Sequence, residues 1–320
     1  LPPPPAILPV LLAMTPADLL RDLLPNPPYQ RHDAPYRLLQ LTGPDAGEFL
    51  HRLCSQDVLG LAPGSVRPAA FLDAKGKLLA TCLVFRGEGA FWLEVAHEQA
   101  DRLAALLERY HFTEKLVIAR PDFGPCHETV QWASNVPAQD WSVFFDAGRP
   151  VVRCASRLVS FTRSHGAALA WSELHEDGSE SPLQPAPLSN ELAECVAMAA
   201  GIVRVGVDTE PTTLALEADL DDHISTTKGC YTGQEIVARI HTYGHTNRKL
   251  CLLRLAPGAA ITAPQPLHEP EDDLAVGRVM RAVVAPGGGC RVGLGFLPKD
   301  FQAPGSALRL ADGTAVEVVG

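Results

Sequence analysis

A cysteine two residues from a lysine, set between two glycines and beside a tyrosine, is the most chemically suggestive arrangement in this chain of 320 residues. It occurs in Lys228-Gly229-Cys230-Tyr231-Thr232-Gly233-Gln234-Glu235. A thiol acts as nucleophile or metal ligand only as the thiolate, and a neighbouring ammonium or helix N-terminus lowers its pKa by one to several units from about 8.5. The octet offers both, because Lys228 precedes Cys230 and a helical apolar pattern begins near Gln234. Gly229 and Gly233 allow turns that a Cβ resists. Cys230 and Lys228 are therefore the catalytic candidates. Two alternatives stand beside this reading. Cys230 can be a small buried hydrophobe in a tight turn. The β-branched run from Ile236 to Ile240 also admits a strand, and then only Lys228 remains to act on the thiol.

Near Cys230 lie an aromatic ring and three cations, Tyr231, Arg239, Arg248 and Lys249. Taken alone, two cations after a glycine are more often a solvated turn than an anion site. His241 and His245 share the i, i+4 spacing of helix-borne metal ligands, but Gly244 separates them and no HExxH glutamate accompanies them. The eight cysteines (54, 82, 126, 154, 195, 230, 251, 290) stand no closer than about twenty positions apart, so no C-x-x-C pair exists. No metal ligands are expected. Asp57 and Asp73 read as a helix-end cap and a turn cap.

These residues must be positioned by a chain long enough for two or three domains. Its hydrophobic content of 46% and charged content of 20% are those of a folded globular protein. The formal net charge of −10, with no basic run, argues against broad nucleic-acid binding. Disulfides are unnecessary in a chain this apolar, and a reducing cytoplasm is expected. No segment reaches membrane length. The proline-broken tract from Pro2 to Met14 reads as an extended arm, or as an extension upstream of a start at Met14.

In chain order the pattern is mixed. A strand is expected at 36–41, a helix from Gly43-Pro44-Asp45 to about Leu53, strands at 66–72, 77–86 and 90–95, a helix from His97 to Arg109 and a strand at 115–119. Less regular strands follow at 129–132, 141–145, 151–154 and 168–171. The segment 182–187 reads as a linker to a helix from Asn190 to Ala200. After Lys249 come strands at 250–255, 274–284 and 291–296 and a hairpin around Asp312-Gly313, which together suggest a small barrel.

The octet resembles the signature of the YgfZ family of folate-binding proteins, relatives of the glycine-cleavage T-protein (aminomethyltransferase). Leu41-Thr42-Gly43-Pro44-Asp45-Ala46, Ser55-Gln56-Asp57-Val58, Phe71-Leu72-Asp73-Ala74-Lys75-Gly76-Lys77, Gly201-Ile202, Arg248-Lys249-Leu250 and Val276-Gly277-Arg278-Val279 extend the resemblance, in family order, over roughly residues 36 to 300. It implies an α+β fold in a three-domain T-protein-like arrangement, with ferredoxin-like α/β units and a C-terminal small β-barrel around a central folate-binding opening. The implied domains are 36–120, 121–248 with 1–35, and 249–320. It also implies a tetrahydrofolate-binding accessory protein that supports iron–sulfur cluster assembly or repair in client enzymes, including tRNA-modifying ones. Cys230 would be the reactive thiol, with Tyr231, Gln234, Glu235, Arg239 and Arg248 holding tetrahydrofolate or another reduced folate. Folate-dependent aminomethyl or one-carbon transfer is the alternative. The aspartate and glutamate that aminomethyltransferases carry correspond here to Ala80 or Thr81 and to Ala199, and neither alanine nor threonine takes up a proton as a carboxylate does.

Overall fold

The computed structural model describes residues 14–25, 27–87, 89–132, 141–155, 159–166, 185–258 and 260–320. Their elements, in order, are α1 (Pro16–Leu23), β1 (Tyr29–Ala34), β2 (Tyr36–Thr42), α2 (Ala46–Leu53), β3 (Val66–Leu72), β4 (Leu78–Gly87), β5 (Ala90–Ala96), α3 (His97–Tyr110), β6 (Val117–Ala119), β7 (Cys126–Trp132), β8 (Ser142–Asp146), β9 (Arg149–Ala155), β10 (Val159–His165), β11 (Ala186–Pro187), α4 (Asn190–Ala199), α5 (Gln234–Tyr243), β12 (Arg248–Leu255), β13 (Gln265–His268), β14 (Ala275–Val284), β15 (Arg291–Pro298), β16 (Ala307–Arg309) and β17 (Ala315–Val318). The proline-rich arm, the strand expected at 168–171 and the start of the linker at 182–184 lie outside the described residues.

The chain divides into two compact units. The larger comprises Asn26–Ala193 and Ala200–Thr246; the smaller holds α1, Glu194–Ala199 and Asn247–Gly320. In the larger, five antiparallel strands run in the order β3-β4-β5-β2-β6. One face of this sheet is covered by α2 and α3. Phe49, Leu50 and Leu53 of α2 and Leu103 and Leu107 of α3 recur at helical spacing and meet Leu39, Leu41, Phe71, Val84, Leu93 and Val95 from the strands. Each such side chain, fully buried, stabilises by about 1.5–3 kcal/mol. The second sheet of this unit has the order β11-β1-β7-β10-β9-β8, with β11 parallel to β1. Neither β1 nor β10 is marked in the sequence by a clean apolar alternation: β1 reads Tyr-Gln-Arg-His-Asp-Ala and β10 carries Arg163, Ser164 and His165.

The smaller unit closes six strands into a barrel, β12-β15-β14-β13-β16-β17. Leu253, Leu255, Leu267, Val279, Leu297, Leu308, Val316 and Val318 fill its interior. The mixed α and β content and the closed C-terminal barrel agree with the sequence reading. α1 is an unexpected addition: Thr15 and Asp18 form a reciprocal capping box and Pro16 takes the first turn. No helix among the described residues is long and apolar enough to cross a membrane.

Candidate functional site

Three of the sequence segments singled out above converge in the larger unit. The Ser55-Gln56 segment after α2 holds the strand-free approach to the octet: Ser225 N donates to Ser55 O, Ser55 Oγ to His223 O and Gln56 Nε2 to Asp222 O. Asp73 caps its own turn, its Oδ1 accepting from the backbone N–H of Lys75 and Lys77. The octet then packs on that turn. Gly233 has φ +84°, and a Cβ there would meet Asp73 O at 2.6 Å. Only glycine fits both the conformation and the approach.

Gly233 is also the N-cap of α5, so the helical alternative for Ile236 to Ile240 is the one adopted. Cys230 lies four positions before Gln234, the first helical residue, and is exposed. Tyr231 is buried, its carbonyl accepting from Gln234 N, and burial pushes its hydroxyl up to about 12. Gln234 is half-buried and Glu235 exposed. Arg239 reaches back one turn to Glu235 at 3.1 Å on the exposed side of the helix.

Lys228 does something the sequence did not disclose. Its Nζ donates to the carbonyl oxygens of Cys54 (2.7 Å), Gln56 (3.0 Å) and His51, at the C-terminal end of α2 where the last carbonyls have no intrahelical partner. An ammonium has three N–H groups, and all three are engaged. Lys228 is buried, stands 5.1 Å from the centre of the Tyr231 ring, and is lowered in pKa chiefly by that burial. It therefore fixes the octet to α2, and none of its N–H groups is left to point at Cys230.

Arg248 belongs to the smaller unit, at the start of β12, with its guanidinium 4.4 Å over the centre of the Phe296 ring. His241 lies 4.0 Å from Asp221. Of the positions that the resemblance matches to the aminomethyltransferase carboxylates, Ala80 and Ala199 are buried, and Thr81 N donates to Gln99 Oε1. Gln99 was not visible as a site residue in the sequence. Its Nε2 is buried without a hydrogen-bond partner among the described residues.

The chain superimposes on the glycine cleavage system aminomethyltransferase T from Bartonella henselae with a TM-score of 0.72, covering 96% of this chain and 90% of that one at 20% identity. It thus has the aminomethyltransferase fold. Its sequence relatives narrow this further. The iron–sulfur cluster assembly factor IBA57 homolog, mitochondrial, of Phaeosphaeria nodorum is 26% identical over 250 residues, 72% of this chain and 57% of the relative. The tRNA-modifying protein YgfZ of Yersinia enterocolitica is 27% identical over 236 residues, 72% of this chain and 71% of the relative. The chain is thus similar to the YgfZ and IBA57 proteins, and it spans little more than half the length of the fungal one. No family model matches it.

Proposed function

We propose that this protein binds tetrahydrofolate and supports the assembly or repair of iron–sulfur clusters in client enzymes, tRNA-modifying enzymes among them, with Cys230 as its reactive thiol. The observation that carries the reading is the exposure of Cys230 on a turn whose neighbours are fixed on both sides, by Lys228 on the carbonyls at the end of α2 and by Gly233 on the Asp73 turn. An exposed thiolate donor on a rigid support can reach a metal centre or disulfide held by another protein, or a carbon borne on folate. The relatives named for cluster assembly and for tRNA modification support the choice of client.

Lys228 in this reading positions Cys230 and does not touch the reacting atoms. Gln234 and Glu235 supply polar groups for the pterin edge, and Arg239 supplies a cation for the glutamate tail. Aminomethyl transfer draws support from the fold, but no carboxylate stands at Ala80, Thr81 or Ala199 to handle the proton.

The test is an anaerobic titration of the full chain with tetrahydrofolate, followed by heat and by quenching of tryptophan fluorescence. Saturable binding is expected, weakened about tenfold in Arg239→Ala by the loss of one charge-assisted contact. Cys230→Ser is expected to bind folate unchanged and to fail in restoring cluster-dependent activity to cells that lack the protein. Absence of binding at millimolar folate removes the folate half of the proposal.

A further inference from the structure

A cluster of buried polar residues in the larger unit lies outside the octet. Glu94 on β5, Cys126 on β7 and His165 on β10 bring a carboxylate oxygen, a sulfur and an imidazole nitrogen within 4.8 Å of one another, and all three residues are buried. His165 faces Cys126 directly across the β7–β10 ladder, while Glu94 comes from the other sheet. His165 Nε2 lies 2.8 Å from Glu94 Oε1 and 4.0 Å from Cys126 Sγ.

We propose that Glu94, Cys126 and His165 form a site for a divalent cation of the zinc type. One sulfur, one imidazole nitrogen and one carboxylate oxygen are the donors such an ion prefers, and three protein ligands leave a fourth position open. Metal–ligand bonds of 2.0–2.3 Å at tetrahedral angles separate donor atoms by roughly 3.2–3.7 Å. The two His165 separations of 2.8 and 4.0 Å bracket that range, and with all three donor atoms within 4.8 Å of one another the side chains must draw together by about 1 Å to close on an ion.

The surroundings support the same assignment. Arg163 Nη1 holds the other oxygen of Glu94, Oε2, at 2.9 Å, which fixes the carboxylate with Oε1 toward the imidazole. The Nε of Arg163 lies 2.7 Å from Glu128 Oε2, and Arg31 Nη2 lies 2.7 Å from Glu128 Oε1. Two arginines thus balance two glutamates, and an oriented ligand carboxylate with its own hydrogen-bond partner is the usual outer shell of a metal site. An ion-pair network accounts for these four residues without needing a thiol. Cys126 has no acceptor nearer than 4.0 Å, and Arg31 Nε is buried without a partner among the described residues.

Binding exchanges a proton for the ion. A hydrogen bond joins His165 Nε2 to Glu94 Oε1, and Cys126 is a free thiol. An incoming dication takes the place of the Cys126 Sγ proton, which leaves to solvent, and its charge is met by the thiolate so formed and the Glu94 carboxylate, with His165 ligating as neutral imidazole. The ion then links the two sheets of the larger unit.

The experiment uses the full chain, purified anaerobically, stripped with chelator and titrated with Zn²⁺ and, as a coloured probe, with Co²⁺. About one equivalent is expected to bind, with release of protons and a thiolate-to-cobalt absorption band. Cys126→Ser should abolish that band, and His165→Gln should weaken binding by at least tenfold, as loss of even an outer-shell partner does. Cys290→Ser should change neither. Wild-type protein that takes up less than about a tenth of an equivalent overturns the proposal, and so does a thiolate band that survives in Cys126→Ser. The wild-type measurement stands even if a variant fails to fold, and it does not depend on the folate reading.

Discussion

Gly233 lies against Gly76: a Cβ on Gly233 would stand 3.2 Å from the Gly76 Cα, and a Cβ on Gly76 would stand 2.8 Å from the Cβ of Ile236. Two turns far apart in the chain are thus packed backbone to backbone. Gly233→Ala must then shift the Asp73 turn as well as adopt φ +84°, and a loss of about 1–3 kcal/mol is expected. Gly229 has open space around it, and Gly229→Ala should stay within about 0.5 kcal/mol of the parent. Urea denaturation of the two variants makes the comparison. Equal, small effects would show that the turns do not need their close approach.

The next prediction separates the anchor from the thiol. Lys228→Met leaves two buried carbonyls and the half-buried one of His51 without their shared donor and should cost about 1–3 kcal/mol. Lys228→Arg should not rescue it, because a planar guanidinium cannot converge on three carbonyls as a compact ammonium does. Cys230 is exposed, so Cys230→Ser should leave the denaturation midpoint nearly unmoved, within about 0.5 kcal/mol. A Cys230→Ser variant as unstable as Lys228→Met would make the thiol a structural residue.

Much of this arrangement was legible before any coordinates. The turn at Asp73-Ala74-Lys75-Gly76, the helix after Gly233 and the barrel strands follow from glycine placement and apolar spacing, which are local properties. The partners of Lys228 were not legible, because carbonyl oxygens belong to every residue and carry no sequence mark. The same holds for the buried cluster. Glu94, Cys126 and His165 come from three strands on two sheets, so their proximity is a product of topology and leaves no spacing motif. Polar residues in β1 and β10 hid those strands for a related reason, since Arg31, Arg163 and His165 are buried through pairing that only the fold supplies.

Acid sensitivity should come in part from His223. Burial pushes its imidazole from 6.5 down to about 4, and its Nδ1 has no partner among the described residues. Between those two values the unfolded chain takes up a proton that the folded chain refuses. The contribution to stability is therefore complete above pH 6.5 and is lost progressively as the pH falls toward 4. Urea midpoints measured at pH 7.5 and pH 5 should draw closer in His223→Gln than in the parent. An unchanged pH dependence would place the sensitivity in other groups.

Access should rank the eight cysteines. Cys230 is exposed and Cys290 half-buried, while Cys54, Cys82, Cys126, Cys154, Cys195 and Cys251 are buried. Burial also raises the thiols of Cys54, Cys82, Cys126 and Cys154, so the residues hardest to reach hold the least thiolate. Iodoacetamide under native conditions should modify Cys230 first and Cys290 next, with the other six reacting only as the protein opens. Peptide mapping by mass spectrometry at successive times reads the order directly. If Cys126 reacts as fast as Cys230, the two sheets of the larger unit part readily in the native state, and amide exchange along β7 and β10 should then be equally rapid.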